Sequence, residues 1–409
     1  MQTWLKSIGL NAIVLCLSAA VTLAGAEVVL RTTYPQRERQ SIHEFDAELG
    51  YRPQASLDRR YVWDAHEVVT GVRTGPQGFR DIDLPARKAS NEFRVLLLGD
   101  SNTFGYGVEG DETFAKILEE RLNRPASQPV HNYVAINAGV IGYGTGHQVL
   151  QYERIGDGVA ADLVILNVTV SNDIQDNLCL TYGALTPNRM NPCFAIEGGE
   201  LVLKSRPEKT EDTSGDWRQV LESLDLYSFV MLRSAGFAGA NPRVVRLLDE
   251  WGVGMKRAWL PTVVEAWYSE VCWPRGWTLT QRLLEQLHQS VRKRGAQLVV
   301  VGIPSRLQVQ QNLRDVSSVL YDGRAEYAAF QRDPVRPQRL LDEFLSSRGI
   351  AFLDLEPVFQ RQPAPEDLYY AINQHWNAGG HRVVAEAIEQ FLHERTRLAG
   401  RPAAIGEAQ

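Results

Sequence analysis

Phe93-Arg-Val-Leu-Leu-Leu-Gly-Asp-Ser-Asn-Thr-Phe-Gly-Tyr-Gly-Val108 is an apolar run that ends in a Gly-Asp-Ser turn. Val95 to Leu98 are β-branched and Leu-rich, too short for a helix and stopped by Gly99, so they predict a fully buried strand. Ser101 therefore falls at the carboxyl end of a strand, where open α/β sheets place their chemistry. It is the best nucleophile candidate in the chain, although Gly-Asp-Ser is also ordinary turn chemistry. Gly105 and Gly107 keep the next loop free of side chains, and Phe114 to Leu122 reads as a helix.

The same rhythm continues outward. Val134–Asn137, Leu163–Val168, Leu298–Val301 and Ile350–Leu353 read as further strands. Between them lie amphipathic stretches. Leu279, Leu283, Leu284, Leu287 and Val291 share one helical face with Gly295 as a stop, and Leu340, Leu341, Phe344 and Leu345 repeat the pattern before Gly349. A last helix carries Val383, Val384, Ala387, Ile388 and Phe391. Short strands alternating with such helices imply a parallel sheet covered on both faces.

Other segments depart from the pattern. Residues 1–30 contain an apolar run from Ser7 to Leu30 whose single charge is Glu27, about long enough to cross a bilayer. Ala24-Gly25-Ala26 resembles a signal-cleavage site, so a secretory signal competes with a retained anchor. Continuation of the run through Val28–Leu30 favours the anchor. Arg31, Arg37 and Arg39 follow it, and Leu15 before Cys16 is too large for a lipoprotein cleavage site. Residues 31–91 are polar with scattered aromatics and turn residues, read as a linker with short strands and no chemistry of their own. The main α/β domain spans 92–398, interrupted at about 178–277 by an insertion with the charged segment 208–216 and Trp251, Trp259, Trp267, Trp273 and Trp277. Those tryptophans suit local core or a sugar-stacking wall. The tail 399–409 is small and polar, expected to be disordered.

With 409 residues, 44% hydrophobic and 22% charged, the chain can build a sizeable core. A net charge of −6 without a long basic run argues against nucleic acid as a partner. No His/Cys/Asp cluster has metal-ligand spacing, and no Lys follows the glycines as in a P-loop, so no cofactor is expected. Cys179 and Cys193 lie close together in a Pro- and Asn-rich loop and can pair in an oxidising compartment or remain thiols in a reducing one.

Four blocks carry the chemistry. Gly99-Asp-Ser-Asn-Thr103, Ile136-Asn-Ala-Gly-Val-Ile-Gly-Tyr-Gly-Thr145 and Val170-Ser-Asn-Asp-Ile174 each follow a strand and should emerge on one sheet edge. Gln374-His-Trp-Asn-Ala-Gly-Gly-His381 opens the last helix. A hydroxyl, an imidazole and oxyanion donors are what acyl transfer requires. The four blocks, in this order, resemble the SGNH or GDSL-type hydrolase superfamily, as membrane-anchored bacterial members have it. The resemblance covers about residues 92–395 apart from the insertion.

It implies a flavodoxin-like three-layer α/β/α sandwich, the SGNH hydrolase fold, here with an N-terminal transmembrane helix. Ser101 would be the nucleophile and His375 the general base. The N–H groups of Ser101 and Gly142 and the side-chain amide of Asn172 would form the oxyanion hole. Gly139 is a rival for Gly142, His381 for His375, and His147 belongs to no block. Asp100 and Asp173 are expected to brace loops.

One position departs from the family. The triad aspartate expected two or three residues before the histidine is replaced by Asn373 or Ile372. An Asn373 carbonyl could hold the imidazole tautomer but brings no charge. In serine proteases an Asp-to-Asn change of this kind costs about four orders of magnitude in turnover. Glu366, Asp367 or a backbone carbonyl could take over.

The function implied is a serine esterase or O-acyltransferase acting on an acyl, preferably acetyl, ester of a carbohydrate or lipid. Its catalytic domain would face the periplasm from the bacterial inner membrane, or be secreted after signal cleavage, with polysaccharide-modification proteins as partners. The alternative is a weakened module that binds polysaccharide as a scaffold.

Overall fold

The computed structural model describes residues 2–36, 41–63, 67–124, 131–180, 191–205, 224–227, 229–230, 243, 260–371, 373 and 375–395. In chain order the strands are β1 (His43–Asp46), β2 (Gly50–Pro53), β3 (Asp58–Val62), β4 (Val69–Arg73), β5 (Glu92–Leu98) and β6 (Asn132–Asn137). They continue with β7 (Leu163–Thr169), β8 (Cys193–Glu197), β9 (Glu200–Ser205), β10 (Gln297–Ile303) and β11 (Ala351–Asp354). The helices are α1 (Gln2–Thr33), α2 (Ser101–Phe104), α3 (Phe114–Leu122), α4 (Thr145–Val159), α5 (Asp173–Asn177), α6 (Thr262–Tyr268) and α7 (Trp273–Lys293). After them come α8 (Arg306–Val309), α9 (Gln311–Leu320), α10 (Ala325–Arg332), α11 (Arg336–Ser347), α12 (Glu356–Gln360) and α13 (Ala378–Arg395).

Five strands pair in parallel in the order β11-β10-β7-β5-β6. Numbered along the chain, this is the 2-1-3-4-5 order of the flavodoxin type, as expected. The apolar run in β5 is buried on both faces because its side chains alternate between two cores. Leu96 and Leu98 join Ile136, Val164, Leu166 and Val300 under α4, α7 and α11. Val95 and Leu97 join Ile165, Val299 and Val301 under α3 and α13. This explains why the run shows no polar alternation in sequence. The chain goes from β5 to β6 on one side and crosses to β7 on the other, so the carboxyl ends of β5 and β7 flank the switch point.

The segment before β5 forms two antiparallel hairpins, β1–β2 and β3–β4, and Arg80 then bridges to Asn137 at the edge of β6. Within the expected insertion, β8 and β9 form a hairpin fastened by a Cys179–Cys193 disulfide with Cα atoms 5.7 Å apart. Helix α7 begins at Trp273, so Trp273 and Trp277 lie on a sheet-covering helix. Trp267 is core, 1% exposed, and its indole N–H donates to the Val170 carbonyl at 2.6 Å. Trp251, Trp259, the charged segment 208–216, Arg37, Arg39, Ile372, Gln374 and the tail lie outside the described residues.

Helix α1 contains Ile13–Thr33, with a mean hydropathy of 2.3 and its apolar side chains exposed, long and apolar enough to cross a bilayer. Near its end Glu27 pairs with Arg31 and accepts the backbone N–H groups of Asp225 (3.0 Å) and Leu226 (2.8 Å). A carboxylate in an apolar helix is costly unless paired, and this one is.

Candidate active site

Asp100 caps the short helix α2, accepting the Asn102 N–H at 2.9 Å. The cap fixes the turn, so Ser101 opens a helix and its own N–H has no acceptor within that helix. Asp100 is 3% exposed, and burial raises its carboxyl pKa. The last block approaches from the other side. Trp376 is 1% exposed in the core beneath the sheet, and Tyr369 bridges to it, which holds the loop carrying His375. The result is the central contact of the site: His375 Nε2 lies 2.7 Å from Ser101 Oγ.

The oxyanion candidates line the neighbouring loops. Gly142 has φ +80°, and a Cβ there would stand 2.6 Å from the Tyr51 hydroxyl, so the close approach of Tyr51 requires glycine. Gly139 differs: its N–H donates to Asn137 Oδ1 at 3.0 Å, which removes it as an oxyanion donor. Asn172 precedes α5 on the β7 side of the switch point, and its amide donates to Asp176 Oδ2 at 2.8 Å. An amide nitrogen carries two hydrogens, so one remains for a ligand. Asp173 accepts the Thr169 N–H at 3.2 Å beneath this loop. Burial, and then the charges of Asp100 and Asp176, push its pKa well above the usual carboxylate range.

The two other histidines near the blocks, His147 and His381, are packed. His147 is 2% exposed and stacks on Tyr143 with centroids 4.4 Å apart. His381 is 1% exposed, and its Nδ1 accepts the Phe114 N–H at 3.2 Å. Burial lowers both to a pKa of about 3, with Arg80 adding to the effect at His381.

The expected role of Asn373 is not what the structure shows. Asn373 Oδ1 accepts the backbone N–H of His375 at 2.9 Å, the local turn an Asx side chain favours. Its remaining side-chain atom is a donor, which cannot accept the imidazole Nδ1–H. His375 Nδ1 is buried and meets no hydrogen-bond partner among the described residues. Glu366 and Asp367, the alternative acids, are both exposed and make no contact with that nitrogen. Burial, then the Arg306 guanidinium, lowers His375 to a pKa of about 4.

The segment before β5 also enters the site, against the expectation that it carries no chemistry. Glu67 Oε2 accepts the Asn373 N–H at 2.9 Å, and Arg306 donates to the Asn373 carbonyl at 3.1 Å. Tyr106, between Gly105 and Gly107 just after the first block, stacks on His375. Trp63 lies against Tyr106, their centroids 4.2 Å apart. The scattered aromatics of 31–91 were the available signal for Tyr51 and Trp63. Glu67 has no local signature.

Known proteins resemble part of this chain. Residues 274–407 match the family model described as the SGNH hydrolase-like domain of acetyltransferase AlgX. The alginate biosynthesis protein AlgX of Pseudomonas putida is 32% identical over 125 residues, which is 29% of this chain and 24% of that protein. The carboxyl-terminal third of the chain is similar to an SGNH hydrolase-like domain.

The chain thus spans about a quarter of the relative's length. The segment matched by the SGNH model holds Asn373 and His375, while Ser101, Gly142 and Asn172 lie before it. Among solved structures, TesA superposes with a TM-score of 0.35 at 12% identity over 74% of this chain and 98% of its own. The lipase/acylhydrolase of Enterococcus faecalis gives 0.33 at 12% identity over 74% and 96%. Scores this low distinguish neither family nor activity.

Proposed function

We propose that this protein is a membrane-anchored serine esterase or O-acyltransferase whose substrate is an acyl ester of a carbohydrate or lipid. The carrying observation is the 2.7 Å contact between Ser101 Oγ and His375 Nε2 at the switch point of the sheet. With its lowered pKa of about 4, His375 is neutral near pH 7 and can accept a proton.

Ser101 Oγ attacks the acyl carbonyl carbon while its proton passes to Nε2. The carbonyl oxygen, now an anion, is held by the N–H groups of Ser101 and Gly142 and by the free amide hydrogen of Asn172. Collapse breaks the ester C–O bond, and Nε2–H protonates the departing alcohol. The acyl group on Ser101 is then taken by water or by a second hydroxyl, with His375 as base again. Water gives an esterase and a sugar hydroxyl an acyltransferase.

The likeness to an alginate biosynthesis protein supports an acetylated polysaccharide as substrate, and polysaccharide-modifying proteins as partners. The apolar helix and the Cys179–Cys193 disulfide support an extracytoplasmic domain held at the inner membrane. A second reading, a polysaccharide-binding module of low turnover, is favoured by the unpartnered His375 Nδ1.

Full-length protein in detergent, treated with p-nitrophenyl acetate and a fluorophosphonate probe, tests the proposal. Turnover and labelling that disappear in Ser101→Ala are expected; neither activity in the wild type would sink the enzyme reading.

A further inference from the structure

In the described structure no carboxylate orients the imidazole of His375. What it does meet is a ring. Tyr106 and His375 lie nearly parallel, 14° apart, with centroids separated by 4.0 Å. Tyr106 is flanked by Gly105 and Gly107, with φ of +87° and +81°, which let the loop turn that ring onto the base. A Cβ at Gly107 would stand 2.9 Å from Tyr370 Cε2. Tyr370 joins the two loops, donating its hydroxyl to the Gly107 carbonyl (2.5 Å) and its N–H to the His375 carbonyl (3.0 Å).

Tilted ring contacts continue away from the site. Trp63 backs Tyr106 and is fixed by its indole N–H donating to Thr70 Oγ1 at 2.6 Å. Tyr61 lies against Trp63 with centroids 4.6 Å apart. A column of rings from the first hairpins therefore ends on His375.

We propose that Tyr106 is the positioning residue that takes over the orienting task of the absent acid, holding the His375 ring plane by stacking and offering its π face to the imidazolium. The proposal rests on the reading of His375 as the base. A π face attracts a cation and costs no buried charge. Among the described residues, the other charged or titratable groups around the base include Arg306, Glu67, His381 and Tyr370. Among them Glu67 is bound to the Asn373 N–H.

The test compares Tyr106→Phe, Tyr106→Leu and Tyr106→Met in full-length protein, each alone and with Asn373→Asp. Phe keeps the π face and should hold kcat within about twofold; Leu and Met should lower kcat roughly tenfold with KM unchanged. With a carboxylate at 373 the Leu penalty should shrink to about threefold or less. Equal losses in both backgrounds, or Phe as damaging as Leu, overturn the proposal. A parallel measurement needs no turnover: 15N-histidine NMR of Ser101→Ala protein. Tyr106→Leu should shift the His375 titration and mix its tautomers while Tyr106→Phe does neither. An unchanged His375 spectrum in Tyr106→Leu overturns the proposal even where the wild type hydrolyses no ester.

Discussion

Asn373 occupies a place where a charge belongs, yet its carbonyl is engaged by the main-chain N–H of His375, 2.9 Å away. Replacing it by aspartate supplies an acceptor for Nδ1–H only if the side chain leaves that turn. The neighbouring Glu67 opposes the new charge, while Arg306 favours it. Asn373→Asp is therefore expected to raise kcat by roughly tenfold, far short of the protease cost. Glu366→Ala and Asp367→Ala should leave it unchanged, because both side chains are exposed and away from Nδ1. Steady-state kinetics on p-nitrophenyl acetate decides both.

His375 sets the pH dependence of activity. Neutral His375 is the active form, so activity should be flat near neutrality and fall only as pH drops through about 4. Stability fails sooner. His147 and His381 have folded pKa values near 3 against about 6.5 unfolded, so the unfolded chain binds more protons below pH 6.5. Their contribution is full above about pH 6.5 and is lost progressively on acidification. Asp100 and Asp173, with raised values, act in the opposite direction and soften the loss. The melting temperature should fall from pH 7 to 5 while initial rates of the folded protein hold; a rate that falls with a midpoint near 6.5 would contradict the burial of His375.

Among the elements, the disulfide is the clearest test. It ties the β8–β9 hairpin to the chain just after α5, the helix that follows Asn172. Closing a loop with a sequence separation of 14 is worth about 3 kcal/mol in the chain-entropy account. Reduction, or Cys179→Ala with Cys193→Ala, should lower the melting temperature by several degrees, read by circular dichroism. Unchanged melting on reduction would count against the link.

Elements were also the scale at which the sequence was easiest to read. Phe114–Leu122 forms the helix its pattern predicts, and β5, β6, β7 and β10 extend one to three residues beyond their apolar runs. Those runs are legible because both faces of the sheet are covered. Ser101 and His375 were legible because the strand ends and the helix start place them. Tyr51, Trp63 and Glu67 were not. They act through tertiary contact across hairpins that show no periodicity long enough to read. The Asn373 carbonyl was misread because a two-residue side-chain turn outcompeted the longer reach to the ring.

For the whole molecule, Glu27 links the apolar helix to the chain at Asp225 and Leu226. This is more than a tether, because a carboxylate receives two backbone donors of a distant segment. Glu27→Ala should leave ester turnover in detergent nearly unchanged while making the segment around 225 cleave faster in limited proteolysis. Equal proteolysis in the two proteins would remove Glu27 from that role.

The claim on which the account turns is that Ser101 and His375 form a working nucleophile and base without a triad carboxylate. Intact-mass spectrometry of the full-length protein after brief exposure to p-nitrophenyl acetate reads this directly. The account predicts a single acetyl adduct mapping to the peptide with Ser101, absent in Ser101→Ala and strongly reduced in His375→Ala. Retention of an acetylated glycan with no adduct on Ser101 under any acyl donor would contradict it and leave a binding module.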